Sequence, residues 1–240
     1  MPHTLFISDL HLSADHAHSA AAFQRFTATL APQAEALYIL GDLFEYWAGD
    51  DDLHEPFHAE VISALRKLAD HGTRIYLMHG NRDLLMGAAF ARAAGLTLLD
   101  DPTLLDLYGT ATLLSHGDQL CTDDIEYQKF RTQVRSPKFQ EKFLARPLVE
   151  RKAYIAQLRQ QSIAAKQVKD SAIMDVNDVA VAALLREHHY PRLIHGHTHR
   201  PMRHEHMVDG HRCERWVLSD WDQRLSALRC DAQGCSVVSF

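Results

Sequence analysis

Residues 193–201 read LIHGHTHRP, a short apolar run that leads into three histidines within five positions. The run predicts a short strand over 192–195, and the glycine after it lets the backbone turn sharply and approach a ligand closely. The histidines are either metal ligands at the end of that strand or parts of a polar loop held by hydrogen bonds. The other strands of the chain decide between these two interpretations.

Further apolar runs predict four more strands, at 4–8, 37–40, 74–78 and 112–115. Stretches with helical spacing, roughly 17–31 and 56–71, separate the first three of them. This alternation of strands and helices indicates a parallel sheet with crossover helices. From about residue 203 onward, close-spaced apolar runs favour antiparallel strands, whereas residues 123–190 have helical spacing almost throughout.

Polar side chains follow each of the five predicted strands. Those able to bind a metal are Asp9, His11, Asp42, Asn81, His116, His197 and His199. Open α/β sheets bind ligands where the carboxyl ends of their strands meet, so we expect these side chains to lie together. Carboxylate, amide and imidazole donors without a thiolate indicate Mn²⁺, Fe²⁺, Co²⁺ or Zn²⁺ rather than a structural zinc site. Since seven ligands are too many for one ion, we predict two ions about 3.5–4 Å apart that share a carboxylate.

The motifs D-x-H, G-D, G-N-x-[D/E], H-G and G-H-x-H occur in this order and resemble the calcineurin-like metallophosphoesterases over residues 5–200. The resemblance implies an α/β fold of the metallophosphoesterase type, a β-sandwich flanked by helices. A helical insertion at about 123–190 would cap the active site. The same resemblance implies a single domain over residues 1–240, with the cap proper at about 123–170.

Family resemblance also implies which residues would hold which ion. Asp9, His11 and His199 would hold one metal, Asn81, His116 and His197 the other, and Asp42 would bridge them. The catalytic group would comprise Asp42, Asn81, Arg82 and His116. His195 is not a ligand of the core motif, so it either supports the loop by a hydrogen bond or contacts the substrate.

Arg82 stands where most members of the family have a histidine. A histidine there can protonate a leaving alkoxide, whereas an arginine stays charged at physiological pH and cannot donate that proton. The guanidinium can instead clamp phosphate oxygens. A leaving group that is itself a phosphate needs little protonation, so Arg82 favours pyrophosphate cleavage over monoester hydrolysis.

Longer stretches, among them GDLFEYWAGDDD and LSHGDQLCTDDIEYQKFR, resemble the branch of this family whose substrate is UDP-2,3-diacylglucosamine of the lipid A pathway. This resemblance implies two Mn²⁺ per chain and attack of activated water on the α-phosphorus, which releases UMP. The implied substrate contacts are Asn81, Arg82, Asp124, Ser162, Lys166, Lys169, His195 and His197. A nucleotide phosphodiesterase or dinucleoside polyphosphate hydrolase on the same scaffold would keep all seven ligands without needing an apolar insertion. A non-catalytic scaffold would be expected to lose ligands.

A basic segment lies within this acidic chain, whose net charge is −6. Residues 129–169 contain 11 Lys and Arg against 2 acidic residues, a net +9, so the other 199 residues carry 14 basic and 29 acidic residues, a net −15. Apolar residues such as Phe139, Phe143 and Ile155 interleave with the charges at near-helical spacing. The segment is either a cap with solvated charges or an acyl-chain groove whose basic rim rests on anionic lipid, and a diacylated substrate favours the groove. The acidic remainder would repel nucleic acid, and we expect a monomer.

The cysteines and the N-terminus indicate the cellular compartment of the protein. Cys121, Cys213, Cys230 and Cys235 show neither a C-x-x-C pair nor zinc spacing, so we expect reduced thiols in a cytosolic protein. The N-terminus lacks the pattern of a signal peptide, and no stretch approaches 18 apolar residues. Together with the basic segment, this predicts a cytoplasmic protein associated peripherally with the cytoplasmic face of the inner membrane.

Overall fold

The computed structural model describes residues 1–168, 174–222 and 225–240, and for residues 161–168 the backbone only. The strands are β1 (Thr4–Ile7), β2 (Ala36–Leu40), β3 (Arg74–Met78), β4 (Thr97–Leu99), β5 (Thr103–Leu107), β6 (Thr110–Ser115), β7 (Arg192–His195), β8 (Met202–Val208), β9 (His211–Val217), β10 (Ser226–Asp231) and β11 (Gly234–Ser239). The α-helices are α1 (Ala17–Thr29), α2 (Pro56–Asp70), α3 (Ala88–Ala94), α4 (Ile125–Val134), α5 (Pro137–Leu144), α6 (Leu148–Val168) and α7 (Asp178–Glu187).

The strands form two sheets. The first has the order β11-β10-β1-β2-β3-β4, in which β1 to β4 are parallel and β10 and β11 are antiparallel. The second has the order β5-β6-β7-β9-β8, with parallel strands in the centre and antiparallel strands at both edges. The predicted parallel arrangement of the first three strands and the antiparallel C-terminal strands are confirmed.

The two sheets pack face to face, and helices cover their outer faces. Between the sheets, Phe6, Leu40 and Met78 of the first contact a cluster that includes Leu114 and Ile194 of the second. Helices α1, α2 and α3 cover the other face of the first sheet, and α7 covers that of the second. Burying each large apolar side chain contributes about 1.5–3 kcal/mol, so these three layers of side chains hold the sandwich together. The predicted α/β fold, a β-sandwich flanked by helices, is confirmed.

Helices α4, α5 and α6 form the insertion, and several of its basic residues pair with carboxylates of the core. Arg131 Nε lies 2.9 Å and Arg135 Nη2 3.2 Å from Asp118 Oδ2, whose side chain is fully buried. Lys152 Nζ lies 2.7 Å from Asp52 Oδ1. The interpretation of the whole basic segment as a solvated or lipid-facing surface is therefore wrong for these residues. The charges of these three residues attach the insertion to carboxylates of the sandwich. In contrast, Lys129, Lys138, Lys142 and Arg146 are exposed.

The prediction of four reduced cysteines is wrong for two of them. Cys230 and Cys235 are direct partners across the antiparallel pair β10 and β11, and they form a disulfide. Opposite residues of an antiparallel pair bring their side chains close together, and sequence spacing alone does not reveal that register. Cys121 and Cys213 are buried free thiols. Within the described residues, no helix combines the length and the apolar character needed to cross a membrane.

Candidate active site

The loops after β1, β2 and β7 carry most of the predicted metal ligands in an uncommon backbone conformation. Positive φ angles occur at Asp9 (56°), His11 (48°), Asp42 (52°), His197 (68°) and His199 (54°). Residues other than glycine rarely adopt this region, and each such residue costs on the order of 1–3 kcal/mol. Strain of this kind clusters at functional sites, where it aims side chains that an extended strand would direct elsewhere.

The loops after β2 and β3 are tied together by Asp83, the last residue of the G-N-x-[D/E] motif. Its buried carboxylate accepts hydrogen bonds from Gly80 N (2.8 Å) and Leu43 N (2.7 Å). Burial and the nearby Asp42 carboxylate raise the pKa of Asp83 to about 6. A Cβ atom on Gly80 would collide with the side chain of Asp42, so the close approach of these loops requires glycine.

A first cluster of candidate ligands consists of Asp9, His11 and His199, whose ligand atoms all lie within 4.8 Å of one another. The Nε2 atoms of His11 and His199 are 3.3 Å apart, and His199 Nε2 is 3.5 Å from Asp9 Oδ1. Asp9 is fully buried, and its Oδ1 has no partner with hydrogen-bond geometry among the described residues. A buried carboxylate oxygen is costly unless it is partnered, so this atom fits a bound cation.

Beside it lies a second cluster, made by Asn81, His116 and His197. His116 Nε2 is 3.2 Å from Asn81 Oδ1, and the ring centroids of His116 and His197 are 5.0 Å apart. Asp42 stands between the two clusters, because its Oδ2 lies 3.9 Å from His11 Nε2 and 4.0 Å from His116 Nε2. The structure thus brings all seven predicted ligands together, with the predicted bridging carboxylate in the middle. Their division between two ions stays a prediction.

Within the second cluster, the pKa values of the two histidines shift in opposite directions. Burial lowers the pKa of His116, but the carboxylates of Asp42, Asp118 and Asp9 outweigh it and raise the pKa to about 9. Burial and the neighbouring His116 instead lower the pKa of His197 to about 4. The carboxylates around His116 therefore favour positive charge at that position, as they would favour a divalent cation.

Two carboxylates that the sequence analysis missed form close charge contacts with the outer nitrogens of the histidines in the first cluster. Glu45 Oε2 lies 3.0 Å from His11 Nδ1, and Asp220 Oδ2 lies 3.0 Å from His199 Nδ1. Metal-binding histidines commonly donate their second ring N–H to a carboxylate, which fixes the ring orientation. Glu45 was visible in the motif GDLFEYW, whereas Asp220 follows β9 without any motif that marks it.

His195 lies behind the site rather than in it. The residue is fully buried, and its Nδ1 donates to Gly196 O at 2.9 Å. Arg215 Nη1 donates to His195 Nε2 at 3.2 Å, and because arginine cannot accept a hydrogen bond, Nε2 must be the acceptor. Burial and Arg215 lower the pKa of His195 to about 3. This geometry favours support of the histidine loop over contact with a substrate.

A polar cavity of about 470 Å³ is lined by five of the seven candidate ligands and by several predicted substrate contacts. Asn81, Arg82, Asp124 and His197 line it, and Arg82 N also donates to Asp42 Oδ1 at 2.8 Å. The carboxylate of Asp124 accepts a hydrogen bond from Tyr127 N and so caps the N-terminus of α4. Of the other predicted contacts, Ser162 and Lys166 lie where only the backbone is described, and Lys169 lies outside the described residues.

An apolar groove of about 480 Å³ adjoins the polar cavity. The two share Glu45, Asn81, Arg82 and Tyr127. The insertion contributes the apolar walls, which include Phe130, Phe139, Phe143, Tyr154, Ile155 and Leu158. The arrangement can accept a molecule with a charged group at the clusters and a long apolar part along the insertion, as the sequence predicts.

Comparison with known proteins agrees with the geometry. Residues 2–201 match the family model described as calcineurin-like phosphoesterase. A curated UDP-2,3-diacylglucosamine hydrolase from Aromatoleum aromaticum is 56% identical over 234 residues, which cover 98% of this chain and 95% of that protein. A protein of the same name from Escherichia coli is 47% identical over 237 residues, which cover 99% of this chain and 98% of that protein.

Among solved structures, a dimetal phosphatase from Danio rerio aligns with a TM-score of 0.50. The alignment covers 100% of this chain and 99% of that one, at 9% sequence identity. At so low an identity, the likeness shows the shared fold alone.

Proposed function

The chain belongs to the calcineurin-like phosphoesterase family, and from this premise we propose that it hydrolyses UDP-2,3-diacylglucosamine to UMP and 2,3-diacylglucosamine 1-phosphate. The observation that carries the proposal is the apolar groove that opens beside the seven candidate ligands, with Arg82 where the two cavities meet. A nucleotide phosphodiesterase or dinucleoside polyphosphate hydrolase has no need of such a groove. The names of the two relatives agree with the same substrate.

In the proposed enzyme, Asp9, His11 and His199 would hold one Mn²⁺, Asn81, His116 and His197 would hold the second, and Asp42 would be the ligand common to both. The donor set is all oxygen and imidazole nitrogen, which suits Mn²⁺. When bound, such a pair of ions lowers the pKa of water and stabilises charge on phosphoryl oxygens. As ligands, His116 and His199 would have to be in their neutral form, so metal binding should be weaker at low pH.

The remaining groups of the site bind and orient the pyrophosphate. Arg82 lies between the cavities with its guanidinium partly exposed, 3.8 Å from Glu45 Oε1, so its other donors are available to phosphate oxygens. Water attacks the α-phosphorus, the bond from that phosphorus to the bridging oxygen breaks, and UMP keeps the new oxygen. The sugar 1-phosphate leaves as an anion, so no general acid is required at Arg82.

Polar substitutions in the groove test the substrate assignment. Replacing Phe139, Phe143 or Ile155 with asparagine should lower turnover of the diacylated substrate and leave hydrolysis of bis(p-nitrophenyl) phosphate nearly unchanged. Each buried CH₂ contributes about 0.8 kcal/mol, so shortening the acyl chains should weaken binding to the wild type progressively, and the variants should flatten that dependence. Steady-state kinetics with substrates of graded chain length measures both effects.

Val149→Ser is the matched control, because Val149 is an exposed residue of α6 that does not line the groove. It should keep the wild-type dependence on chain length. If wild type and groove variants showed the same dependence, the insertion would be a structural cap, and the acyl chains would bind elsewhere.

We further propose that the protein acts as a monomer docked peripherally on the anionic cytoplasmic face of the inner membrane. All seven candidate ligands and the groove come from one chain. Helix α5 carries both the exposed Lys138 and Lys142 and the groove-lining Phe139 and Phe143. If α5 contacted the membrane through these lysines, the groove would lie next to the lipid surface from which it receives an acyl chain.

Neutralising these lysines should weaken binding to anionic vesicles. Each basic residue near such a surface contributes about 1 kcal/mol, so Lys138→Ala and Lys142→Ala should each reduce affinity about 5-fold at low salt. Co-sedimentation with phosphatidylglycerol vesicles measures the effect, and phosphatidylcholine vesicles should show none. Lys67→Ala on α2 provides the comparison, since α2 covers the outer face of the first sheet. An effect of equal size in all three variants would contradict docking through α5.

A further inference from the structure

Glu45 lies at the boundary between the polar cavity and the apolar groove and lines both. The residue follows β2, and its backbone N–H donates to Leu12 O at 3.0 Å. An isolated β-bridge between Leu12 and Phe44 fixes the same stretch. The loop that carries Glu45 is therefore attached directly to the loop that carries Asp9 and His11.

The two carboxylate oxygens of Glu45 serve different partners. Oε2 lies 3.0 Å from His11 Nδ1, on the side of the candidate ligands. Oε1 lies 2.9 Å from Arg159 Nη2 and 3.8 Å from Arg82 Nη1, on the side of the groove. A carboxylate shares its charge between two oxygens with about four acceptor sites, so Glu45 can interact with all three neighbours at once.

From this geometry we infer that Glu45 is a positioning residue that sets both the metal affinity of His11 and the placement of the arginines that grip the substrate. The inference rests on the proposed function. A carboxylate on Nδ1 keeps the proton on that nitrogen, so the lone pair of Nε2 faces the cluster. The same anion offsets the mutual repulsion of two guanidiniums and holds them where phosphate oxygens would lie.

Two other residues each make one of the two kinds of contact that Glu45 makes, either to a histidine ligand or on the arginine side of the site. Asp220 makes the matching contact to His199 at 3.0 Å but lines neither cavity, so it reproduces the histidine contact. Arg159 contacts the other oxygen of Glu45 and lines the groove, so its removal affects the arginine side and leaves His11 its partner. A third comparison is Asp51, which is 55% exposed in its side chain and pairs with Arg151 of the insertion.

The test combines a metal titration with substrate kinetics. Mn²⁺ is added to metal-free protein, and the EPR signal of the free ion measures how much remains unbound. The KM for UDP-2,3-diacylglucosamine, the lipid nucleotide, is measured at saturating Mn²⁺. Glu45→Gln should weaken one of two Mn²⁺ sites about 10–100-fold and raise KM roughly 10-fold. Asp220→Asn should weaken one Mn²⁺ site and leave KM unchanged. Arg159→Gln should raise KM and leave Mn²⁺ binding unchanged, and Asp51→Asn should change neither.

Glu45→Gln with wild-type Mn²⁺ affinity, or with the KM of wild type, would overturn the inference. Circular dichroism checks that each variant is folded, and Glu45→Asp, whose shorter side chain cannot reach both partners, replaces Glu45→Gln if the latter unfolds. Wild-type protein that fails to bind two Mn²⁺ or to cleave the lipid nucleotide would instead contradict the proposed function. The two failures are therefore distinguishable.

Discussion

Replacing Asp42 with alanine should remove both manganese ions and abolish turnover. The Oδ2 atom of Asp42 is about equally far from the histidines of the two clusters, 3.9 Å from His11 Nε2 and 4.0 Å from His116 Nε2. A single variant should therefore weaken both sites at once. Because a catalytic metal contributes several kcal/mol to transition-state stabilisation, we expect kcat/KM to fall by at least roughly 10³-fold.

Elemental analysis of the purified variant and steady-state kinetics measure these two losses. Asp70→Ala is the control, since Asp70 is a largely exposed carboxylate at the end of α2 that pairs with Arg66. It should retain both ions and full activity. An active Asp42→Ala enzyme, or a wild-type protein that binds one tetrahedral zinc, would rule out the bridged pair of ions.

Replacing Arg82 with alanine should lower kcat/KM by roughly 10²–10³-fold, as loss of a preorganised charged donor does in other enzymes. The side chain is not a candidate ligand, so Mn²⁺ stoichiometry should stay at two per chain. Arg82→His should not restore pyrophosphate hydrolysis, because a sugar phosphate leaves as a stable anion and gains little from a proton. Kinetics on the lipid nucleotide, with metal analysis of each variant, provides both readouts.

Full recovery of activity in Arg82→His would show that the leaving group needs protonation. The interpretation of Arg82 as a clamp for phosphate oxygens would then be wrong. Loss of one ion from Arg82→Ala would show instead that the substitution disturbs the loop itself, because the backbone N–H of residue 82 donates to Asp42 Oδ1 at 2.8 Å.

The strands and the seven candidate ligands could be predicted because both are local in sequence. Each strand is a short apolar run, and each ligand follows one within a few residues, as Asp9 and His11 follow β1. Parallel pairing then brings the strand ends to one edge without further information. The apolar residues of the insertion could be predicted as a groove for the same reason, because their helical spacing places them on one side.

Partners that come from distant parts of the chain could not be predicted. Asp220 reaches His199 from the segment after β9, and Arg215 reaches His195 from the strand beside it. Nothing in the spacing of these residues indicates the contact. The interpretation of the basic segment as a solvated or lipid-facing surface was wrong for a related reason. Only the folded chain shows that Asp118 pairs with Arg131 and Arg135.

Hydrolysis of UDP-2,3-diacylglucosamine in ¹⁸O-labelled water, with Mn²⁺ present, tests both the substrate and the phosphorus atom that water attacks. We expect rapid turnover in which mass spectrometry finds one ¹⁸O atom in UMP and none in 2,3-diacylglucosamine 1-phosphate, since water attacks the α-phosphorus. Diadenosine polyphosphates and bis(p-nitrophenyl) phosphate should be much poorer substrates under the same conditions. Label in 2,3-diacylglucosamine 1-phosphate would exclude attack on the α-phosphorus, and efficient cleavage of a diadenosine polyphosphate with UDP-2,3-diacylglucosamine left intact would exclude the proposed substrate.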